Sequence, residues 1–223
     1  MKRSEINRLM QEALDFFDLH QFKLPPWGYY PPEKWKALGS EADEIRENML
    51  GWDITDFGSG DFYNCGLLLF TLRNGNYHDP ANKKTYAEKI MIVREGQMTP
   101  MHYHDLKMED IINRGGGNLC IQLYLSDENG GLSDKPGVVS IDGIEHQFKP
   151  GETVTLTPGE SIALVHRLYH KFWAEKGKGM VLVGEVSQVN DDKTDNLFYE
   201  KCGRFPEIEE DEPPLHLLCS EYK

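Results

Sequence analysis

The sequence of 223 residues has few cysteines and no long apolar run. Its cysteines stand far apart and form no C-x-x-C pair; they are Cys65, Cys120, Cys202 and Cys219. This pattern is typical of buried thiols in a reducing compartment rather than of a disulfide framework. No window approaches the length of a membrane span, and the N-terminal segment lacks the apolar stretch of a signal peptide. We therefore expect no association with a membrane and a cytoplasmic location.

An excess of basic residues is also absent. The 24 lysines and arginines are outnumbered by 37 aspartates and glutamates, which gives a formal net charge of −13. Binding to a phosphate backbone needs a concentrated face of lysine and arginine, so a nucleic acid is not an expected partner. Apolar residues make up 39% and charged residues 27% of the chain, which excludes a disordered or collagen-like protein.

The first fifty residues carry a helical pattern followed by a proline-rich one. Apolar residues recur at spacings of three and four over residues 4–22, which predicts a helix capped by Ser4. The segment KLPPWGYYPPEKW is too rich in proline for a helix or a central strand. It is typical of an arm whose aromatic side chains cover the main body. Residues 40–49 predict a second, short helix.

From about Trp52 onward the sequence has the pattern of an all-β fold. Apolar runs of four to eight residues, bounded by Gly, Asn, Asp or Pro, recur at short intervals, as in an antiparallel sandwich or barrel. We expect one domain over residues 1–223, with the helix and arm in 1–50 and a β-barrel in 52–223. The predicted strands are 67–72, 89–93, 118–125, 138–141, 153–157, 161–165 and 180–186.

Three residues that can bind a metal cluster in the segment GQMTPMHYHDLKMEDIINRGGG. In a strand, His102 and His104 project to the same face because successive side chains alternate. Glu109 follows after a short turn, so it can return on the neighbouring strand toward the same point. Two imidazoles and a carboxylate that converge in this way are suitable ligands for Mn, Fe, Zn or a similar divalent ion.

The spacing of this segment resembles the first motif of the cupin superfamily. Gly96, five residues, His102-x-His104, four residues, Glu109, six residues and Gly116 match that motif without a gap. The resemblance implies a jelly-roll β-barrel with a metal site.

Cupins take a fourth ligand, a histidine, from a second motif of the form P-x-G-x-x-H. Counting back from His170 gives the matching offsets, although Val165 and Arg167 stand where Pro and Gly are expected. We choose His170 as the fourth ligand and expect His166, which lies outside the pattern, in a loop or at the rim of the pocket.

Longer phrases are similar to the D-lyxose isomerase family within the cupins. The similarity rests on HYHDLKMEDIINRGGGNL, on LTPGESIAL with YHKFW, and on VGEVSQVNDDKTDNLFYE. It implies a Mn²⁺-dependent aldose–ketose isomerase that interconverts D-lyxose and D-xylulose, and often D-mannose and D-fructose. It also implies a monosaccharide as the small-molecule partner and a homodimer.

Moving a carbonyl between C1 and C2 of a sugar requires a proton or a hydride to shift between these carbons, and the proton route needs a base beside the metal. Glu185 stands in the apolar strand MVLVGEV, where a carboxylate has no packing role, and we choose it as the base. The alternative is a salt-bridged strand carboxylate. Lys107 shares strand parity with Glu109, so it can bind a sugar oxygen or stabilise the charge of the enediolate. The alternative for Lys107 is a solvated surface lysine.

Three aspartates in VNDDKTDN are predicted to lie in a loop over the barrel mouth, where Asp191, Asp192 and Asp195 can bind sugar hydroxyls. Runs of this kind are most often plain turns. Two other functions stay open at this point. The same ligands suit an Fe(II)-dependent cupin dioxygenase, and the chain can also be a sugar-binding cupin without turnover.

Overall fold

The computed structural model describes residues 1–191, 194–203 and 206–222. Within these ranges the chain forms three α-helices, α1 (Arg3–Leu19), α2 (Pro32–Lys36) and α3 (Asp43–Glu47), and short 3-10 helices at Pro26–Tyr29 and Ser40–Ala42. Thirteen strands fall in the same ranges. In chain order they are β1 (Gly51–Thr55), β2 (Leu67–Arg73), β3 (Tyr86–Val93), β4 (His102–Tyr103), β5 (Glu109–Gly116), β6 (Leu119–Leu125), β7 (Gly137–Ile141), β8 (Ile144–Phe148), β9 (Thr153–Leu156), β10 (Ser161–Leu164), β11 (Leu168–Ala174), β12 (Val181–Gln188) and β13 (Leu197–Phe198).

The strands form two antiparallel sheets that face each other across a shared core. The larger sheet has eight strands in the order β1-β2-β3-β12-β5-β10-β7-β8. The smaller sheet has five strands in the order β13-β4-β11-β6-β9. Many neighbouring strands are distant in sequence, so most of the pairing is long-range, as in a jelly roll. The all-β prediction is confirmed.

All seven predicted strands are present, and their ends agree with the predicted ones to within three residues. Four of the strands outside these seven ranges, β1, β5, β8 and β11, share one property. Their sequences mix polar or charged residues with apolar ones, as in GWDIT and LYHKFWA, and therefore lack a continuous apolar run. Several of these polar side chains face the inside of the molecule, where they form the site described below.

The strands β1, β2, β3 and β12 are buried on both faces. Their inward side chains, such as Leu69 and Met91, join the core between the sheets, while their outward neighbours pack against α1. The outward residues belong to a second apolar cluster that includes Trp52, Ile54, Leu68, Phe70, Ile90, Ile92 and Leu182. Helix α1 contributes Ile6, Leu9, Met10, Ala13 and Phe17 to the same cluster.

The proline-rich arm lies against this outer cluster. Trp27 stacks on Phe70 with ring centroids 4.9 Å apart, and the Trp52 indole N–H donates to the carbonyl of Gly28 at 3.0 Å. The aromatic residues of the arm thus cover the outer face of the larger sheet, as their pattern predicted.

Helix α1 begins one residue earlier than predicted, and Ser4 is not its cap. Lys2 is the N-cap residue and makes no capping bond with its side chain. Asp211 replaces the predicted cap, because its carboxylate accepts from the backbone N–H of Ser4 at 2.9 Å and from the Ser4 hydroxyl at 2.7 Å. The helix ends at Leu19, since Gln21 adopts a left-handed conformation with φ of 56°. Among the described residues, no helix has the length and apolar character needed to cross a membrane.

We expect the packing of α1 on the sheet to contribute strongly to stability. Leu9 of α1 is fully buried, whereas Leu19 at the end of the same helix is 73% exposed. Leu9→Ala is expected to lower the free energy of unfolding by about 2–5 kcal/mol, because it leaves a cavity in the outer cluster. Leu19→Ala serves as the control and is expected to change it by less than about 0.5 kcal/mol. Urea unfolding at fixed protein concentration measures both, and equal effects would contradict this account.

Candidate metal centre and active site

Three histidines meet at one end of the core. His102 in β4 is paired directly with His170 in β11, and their ring centroids lie 4.2 Å apart. His104 follows the end of β4, and its ring lies 5.1 Å from His102 and 5.5 Å from His170. One ring nitrogen of each histidine lies within 4.8 Å of those of the other two.

Each imidazole is oriented in the same way by a backbone carbonyl. The Nδ1 atoms of His102, His104 and His170 each lie within hydrogen-bond distance of a carbonyl oxygen, which can only accept. Each Nδ1 therefore carries the proton, and each Nε2 keeps a lone pair. The acceptors, in the same order, are the carbonyls of Pro100 (2.9 Å), Asp195 (2.7 Å) and Leu168 (3.0 Å). This is the tautomer that a metal-binding histidine needs.

The ligand atoms face inward and are deprived of water. The Nε2 atoms of His104 and His170 are buried and make no hydrogen bond with the described part of the chain. Burial lowers the pKa of His104, and the nearby Lys107 ammonium lowers it further. Burial also holds the pKa of His102 well below its ordinary value, with a second contribution from His170. Neutral imidazoles with converging lone pairs can hold a divalent cation.

Glu109, the first residue of β5, completes this group. Its Oε1 lies 3.1 Å from Nε2 of His170 and 3.5 Å from Nε2 of His104. Burial by itself would raise the pKa of this carboxyl, but the Lys107 ammonium holds the pKa of Glu109 well below its usual range. The structure thus brings the four residues predicted as metal ligands together, with an ionised carboxylate beside the three imidazoles.

Lys107 lies between two buried carboxylates. Its Nζ is 2.8 Å from Oε2 of Glu109 and donates to Oε1 of Glu185 at 2.9 Å. The expectation that Lys107 points inward assumed a regular strand through residues 107–109, but β5 begins only at Glu109. The side chain nevertheless points inward and is buried, since the turn before β5 directs it there.

Two further polar residues of this cluster were not identified from the sequence. Lys89 in β3 is buried, donates to Oδ1 of Asn190 at 2.8 Å and lies 3.3 Å from Oε1 of Glu185. Asn190 also accepts from Lys107 at 3.0 Å. The inward position of Lys89 could have been predicted, because in the run KIMIV it lies two residues before the inward-facing Met91 and therefore on the same face of the strand. Asn190 follows the end of β12, and no periodicity identifies it.

His102 and His104 line a cavity of about 410 Å³ together with Lys107, Glu109 and Glu185. This volume is in the range of small-molecule sites. Asp53 and Thr55 of β1 and Lys89 of β3 also line the cavity, and an apolar part of the lining includes Phe57 and Phe198. Phe198 contributes to the apolar wall, with its ring 5.5 Å from that of His102 and 5.8 Å from that of Phe57.

Of the aspartates predicted to bind sugar, Asp191 and Asp195 are described, and neither lines this cavity. The Asp191 carboxylate accepts from the Thr194 hydroxyl at 2.7 Å and lies 3.2 Å from Nε2 of His78. The Asp195 carboxylate accepts from backbone N–H groups of the turn after His104. Asp192 lies outside the described residues. Sugar binding by Asp191 and Asp195 stays a prediction.

The second cupin motif has a glycine where this chain has Arg167, and the local structure shows how the chain accommodates this residue. Arg167 occupies the position where glycine is expected and adopts a left-handed φ of 60°. Its side chain binds the turn around it, donating to Asp105 at 3.2 Å and to the carbonyl of Asp127 at 2.9 Å. These contacts offset the strain. His166 is exposed, with Nε2 3.3 Å from Oε1 of Gln188, and does not join the three-histidine group.

Comparison with known proteins identifies the family. A family model described as D-lyxose isomerase matches residues 1–222. The chain belongs to the D-lyxose isomerase family. A D-lyxose/D-mannose isomerase of Serratia proteamaculans is 48% identical over 223 residues, which cover 100% of this chain and 98% of that protein. One of Escherichia coli O157:H7 is 49% identical over 224 residues, which cover 100% of this chain and 99% of that protein. The protein is therefore an aldose–ketose isomerase that acts on monosaccharides.

Solved structures of other sugar isomerases share the fold. L-ribose isomerase of Acinetobacter sp. DL28 matches with a TM-score of 0.59 at 14% identity, covering 90% of this chain and 93% of that one. The ligand-free enzyme of Cellulomonas parahominis matches with a TM-score of 0.59 at 15% identity, covering 94% and 98%. At such identities the likeness concerns the fold alone. The predicted jelly-roll cupin fold of this family member is confirmed.

The choice between His170 and His166 leads to a direct test of the metal centre. His170→Ala is expected to abolish Mn²⁺ binding, because it removes one of the converging Nε2 atoms. His166→Ala is the matched control and is expected to bind Mn²⁺ like the wild type. Calorimetric titration of metal-stripped protein measures both, with circular dichroism to verify folding. Full Mn²⁺ affinity in His170→Ala together with its loss in His166→Ala would show that the fourth ligand is misassigned.

Proposed function

We propose that this isomerase interconverts D-lyxose and D-xylulose, and D-mannose and D-fructose, with a bound divalent metal. The relatives with 48% and 49% identity, which are named D-lyxose/D-mannose isomerase, support these substrates. The observation that supports the metal dependence is the convergence of one ring nitrogen from each of three histidines beside the Glu109 carboxylate.

The residues present fit a resident cation of the Mn²⁺ type. His102, His104, Glu109 and His170 would hold it, because neutral imidazole and carboxylate ligands suit Mn²⁺. Two of these imidazoles have buried Nε2 atoms without a hydrogen bond, so a ligand at this point would satisfy them. A divalent ion there supplies Lewis acidity that polarises the carbonyl and hydroxyl oxygens of the sugar.

Glu185 is the proposed base. It lies in β12 on the inward face, and its described contacts all end on one oxygen, Oε1. They come from Lys107 at 2.9 Å, the Ser187 hydroxyl at 3.1 Å and Lys89 at 3.3 Å. These contacts orient the carboxylate and leave Oε2 to accept the proton from C2 and to return it to C1.

Lys107 is the proposed electrophilic partner of the base. Its ammonium group contacts both Glu109 and Glu185, so it lies between the histidine cluster and the proton-transfer group. From there it can donate a hydrogen bond to a sugar oxygen on which negative charge develops as the proton leaves. Such preorganised donors stabilise the developing charge in a buried site.

The charge balance of the cavity favours an uncharged sugar. The ammonium groups of Lys89 and Lys107 are both within contact distance of the Glu185 carboxylate, and Lys107 also contacts Glu109. These two cations are therefore compensated by carboxylates and do not form an isolated positive site for a phosphate group. This supports an unphosphorylated monosaccharide as the substrate.

The alternatives of a dioxygenase and of a sugar-binding protein without turnover are less well supported. A buried Lys107–Glu185 pair beside the histidines provides a proton-transfer group, for which oxygen chemistry has less use. Membership of the D-lyxose isomerase family also favours isomerisation.

The function is tested by stripping the metal, restoring Mn²⁺ and assaying D-lyxose for the formation of D-xylulose. Glu185→Gln is expected to keep Mn²⁺ and to lose about 10²- to 10⁴-fold in kcat, because it removes the base. Glu88→Gln is the control, since Glu88 precedes Lys89 in β3, points away from the cavity and pairs with Arg73. A wild type without D-xylulose formation, or a Glu185→Gln variant with full turnover, would contradict the proposal.

Transfer through a carboxylate also predicts exchange with the solvent. In deuterium oxide, D-xylulose formed from D-lyxose is expected to carry deuterium at C1, because the proton held by Glu185 can exchange before its return. Proton NMR of the product measures the label. Complete absence of deuterium would indicate a direct hydride shift and would argue against Glu185 as the base.

Two further expectations from the sequence belong to the same proposal. The family resemblance implies a homodimer, which predicts a mass of twice 25.6 kDa in light scattering of the eluted protein. A mass of one chain would contradict it. The cytoplasmic location stays a prediction from the sequence.

A further inference from the structure

Asp195 has an unusual set of contacts for a residue of a polar loop. It follows β12 in the segment that leads to β13, yet it is only 2% exposed. Its backbone N–H donates to the carbonyl of Asp191 at 2.9 Å. Both its carboxylate and its own carbonyl then point toward the segment that contains His104.

The carboxylate accepts from three successive backbone N–H groups about ninety residues away in sequence. Oδ1 accepts from Asp105 at 2.9 Å and from Leu106 at 2.8 Å, and Oδ2 accepts from Lys107 at 3.1 Å. Successive N–H groups that converge on one anion form a nest, which holds a turn in a single conformation. This turn determines where the Lys107 side chain enters the site.

The backbone carbonyl of the same residue accepts from Nδ1 of His104 at 2.7 Å. This bond selects the tautomer of His104 that presents Nε2 to the other histidines. Asp195 thus contacts both a proposed metal ligand and the turn that carries Lys107, through two different groups of one residue.

We propose that Asp195 is a positioning residue that fixes His104 and Lys107 relative to each other. This inference rests on the proposed function, because it assigns Asp195 a role in the geometry of that site. It differs from the sugar-binding role predicted from the sequence. A positioning role affects metal affinity and turnover, whereas direct sugar binding affects the Michaelis constant.

Two substitutions of Asp195 are expected to weaken metal affinity and activity to different extents. Asp195→Ala leaves three N–H groups without their acceptor, so the turn of residues 105–107 loses its fixed conformation. Asp195→Asn keeps one carboxamide oxygen for two of these N–H groups but faces the third with a donor. Since outer contacts of metal ligands typically affect metal affinity or activity by about 10- to 100-fold, we expect a loss of that size for Asp195→Ala and a smaller one for Asp195→Asn.

The experiment combines three measurements on the full chain. Calorimetry gives the dissociation constant of Mn²⁺ for the metal-stripped protein, and steady-state assays with D-lyxose at saturating Mn²⁺ give kcat and KM. Hydrogen exchange reports the protection of amides 105–107. The matched control is Asp105→Asn, which keeps the backbone N–H and alters only a side chain that is 45% exposed and paired with Arg167.

The expected result is weaker Mn²⁺ binding, a lower kcat and faster exchange at residues 105–107 in Asp195→Ala. KM for D-lyxose should stay within about twofold of the wild type, Asp195→Asn should be intermediate, and Asp105→Asn should resemble the wild type. If Asp195→Ala does not fold, the isosteric Asp195→Asn carries the test alone.

Two outcomes would overturn the inference. One is an unchanged Mn²⁺ affinity, kcat and amide protection in both variants. The other is a rise in KM with unchanged metal affinity, which would assign Asp195 to sugar binding. A wild type without isomerase activity would refute the proposed function, while weaker Mn²⁺ binding and faster exchange in the Asp195 variants would still support the positioning of His104 and the turn.

Discussion

The site depends on three hydrogen bonds from imidazole Nδ1 atoms to backbone carbonyls. They fix the rings of His102, His104 and His170 so that three Nε2 lone pairs face one another. Burial favours the neutral form of His102 and His104, and burial also deprives their lone pairs of water. The proposed metal binding follows from this constraint, because ring nitrogens that converge beside the ionised Glu109 suit a divalent cation.

The fold provides this arrangement through the alternation of side chains along strands. Glu185, Lys89 and Asp53 lie on strands whose outward neighbours pack beneath α1, so their polar groups must face inward. Inside, each charge requires compensation, since unpaired charges in a buried site are unfavourable. Lys107 meets this requirement for Glu109 and Glu185 at once. The same pairing places the proposed base next to the proposed metal ligands.

The residues of the site that belong to a local sequence motif could be predicted. The residues that depend on contacts between segments distant in sequence could not. The motif spacing identified the histidines and Glu109, and the isolated carboxylate in an apolar strand indicated Glu185. Lys107 was expected inside because of strand parity, but it lies in a turn. Asp195, which holds that turn, is about ninety residues away in sequence, and no periodicity connects the two. The N-terminus of α1 is a second example of a contact between distant segments, because Asp211 near the C-terminus takes the place of the predicted cap Ser4.

The central claim is that the three Nε2 atoms and the Glu109 carboxylate bind one divalent ion. Anomalous diffraction at the manganese edge from crystals grown with Mn²⁺ tests it most directly. The account predicts a single strong peak inside the barrel, in contact with Nε2 rather than Nδ1 of each of the three histidines. A peak at another place, contact through Nδ1, or no peak at saturating Mn²⁺ would contradict it.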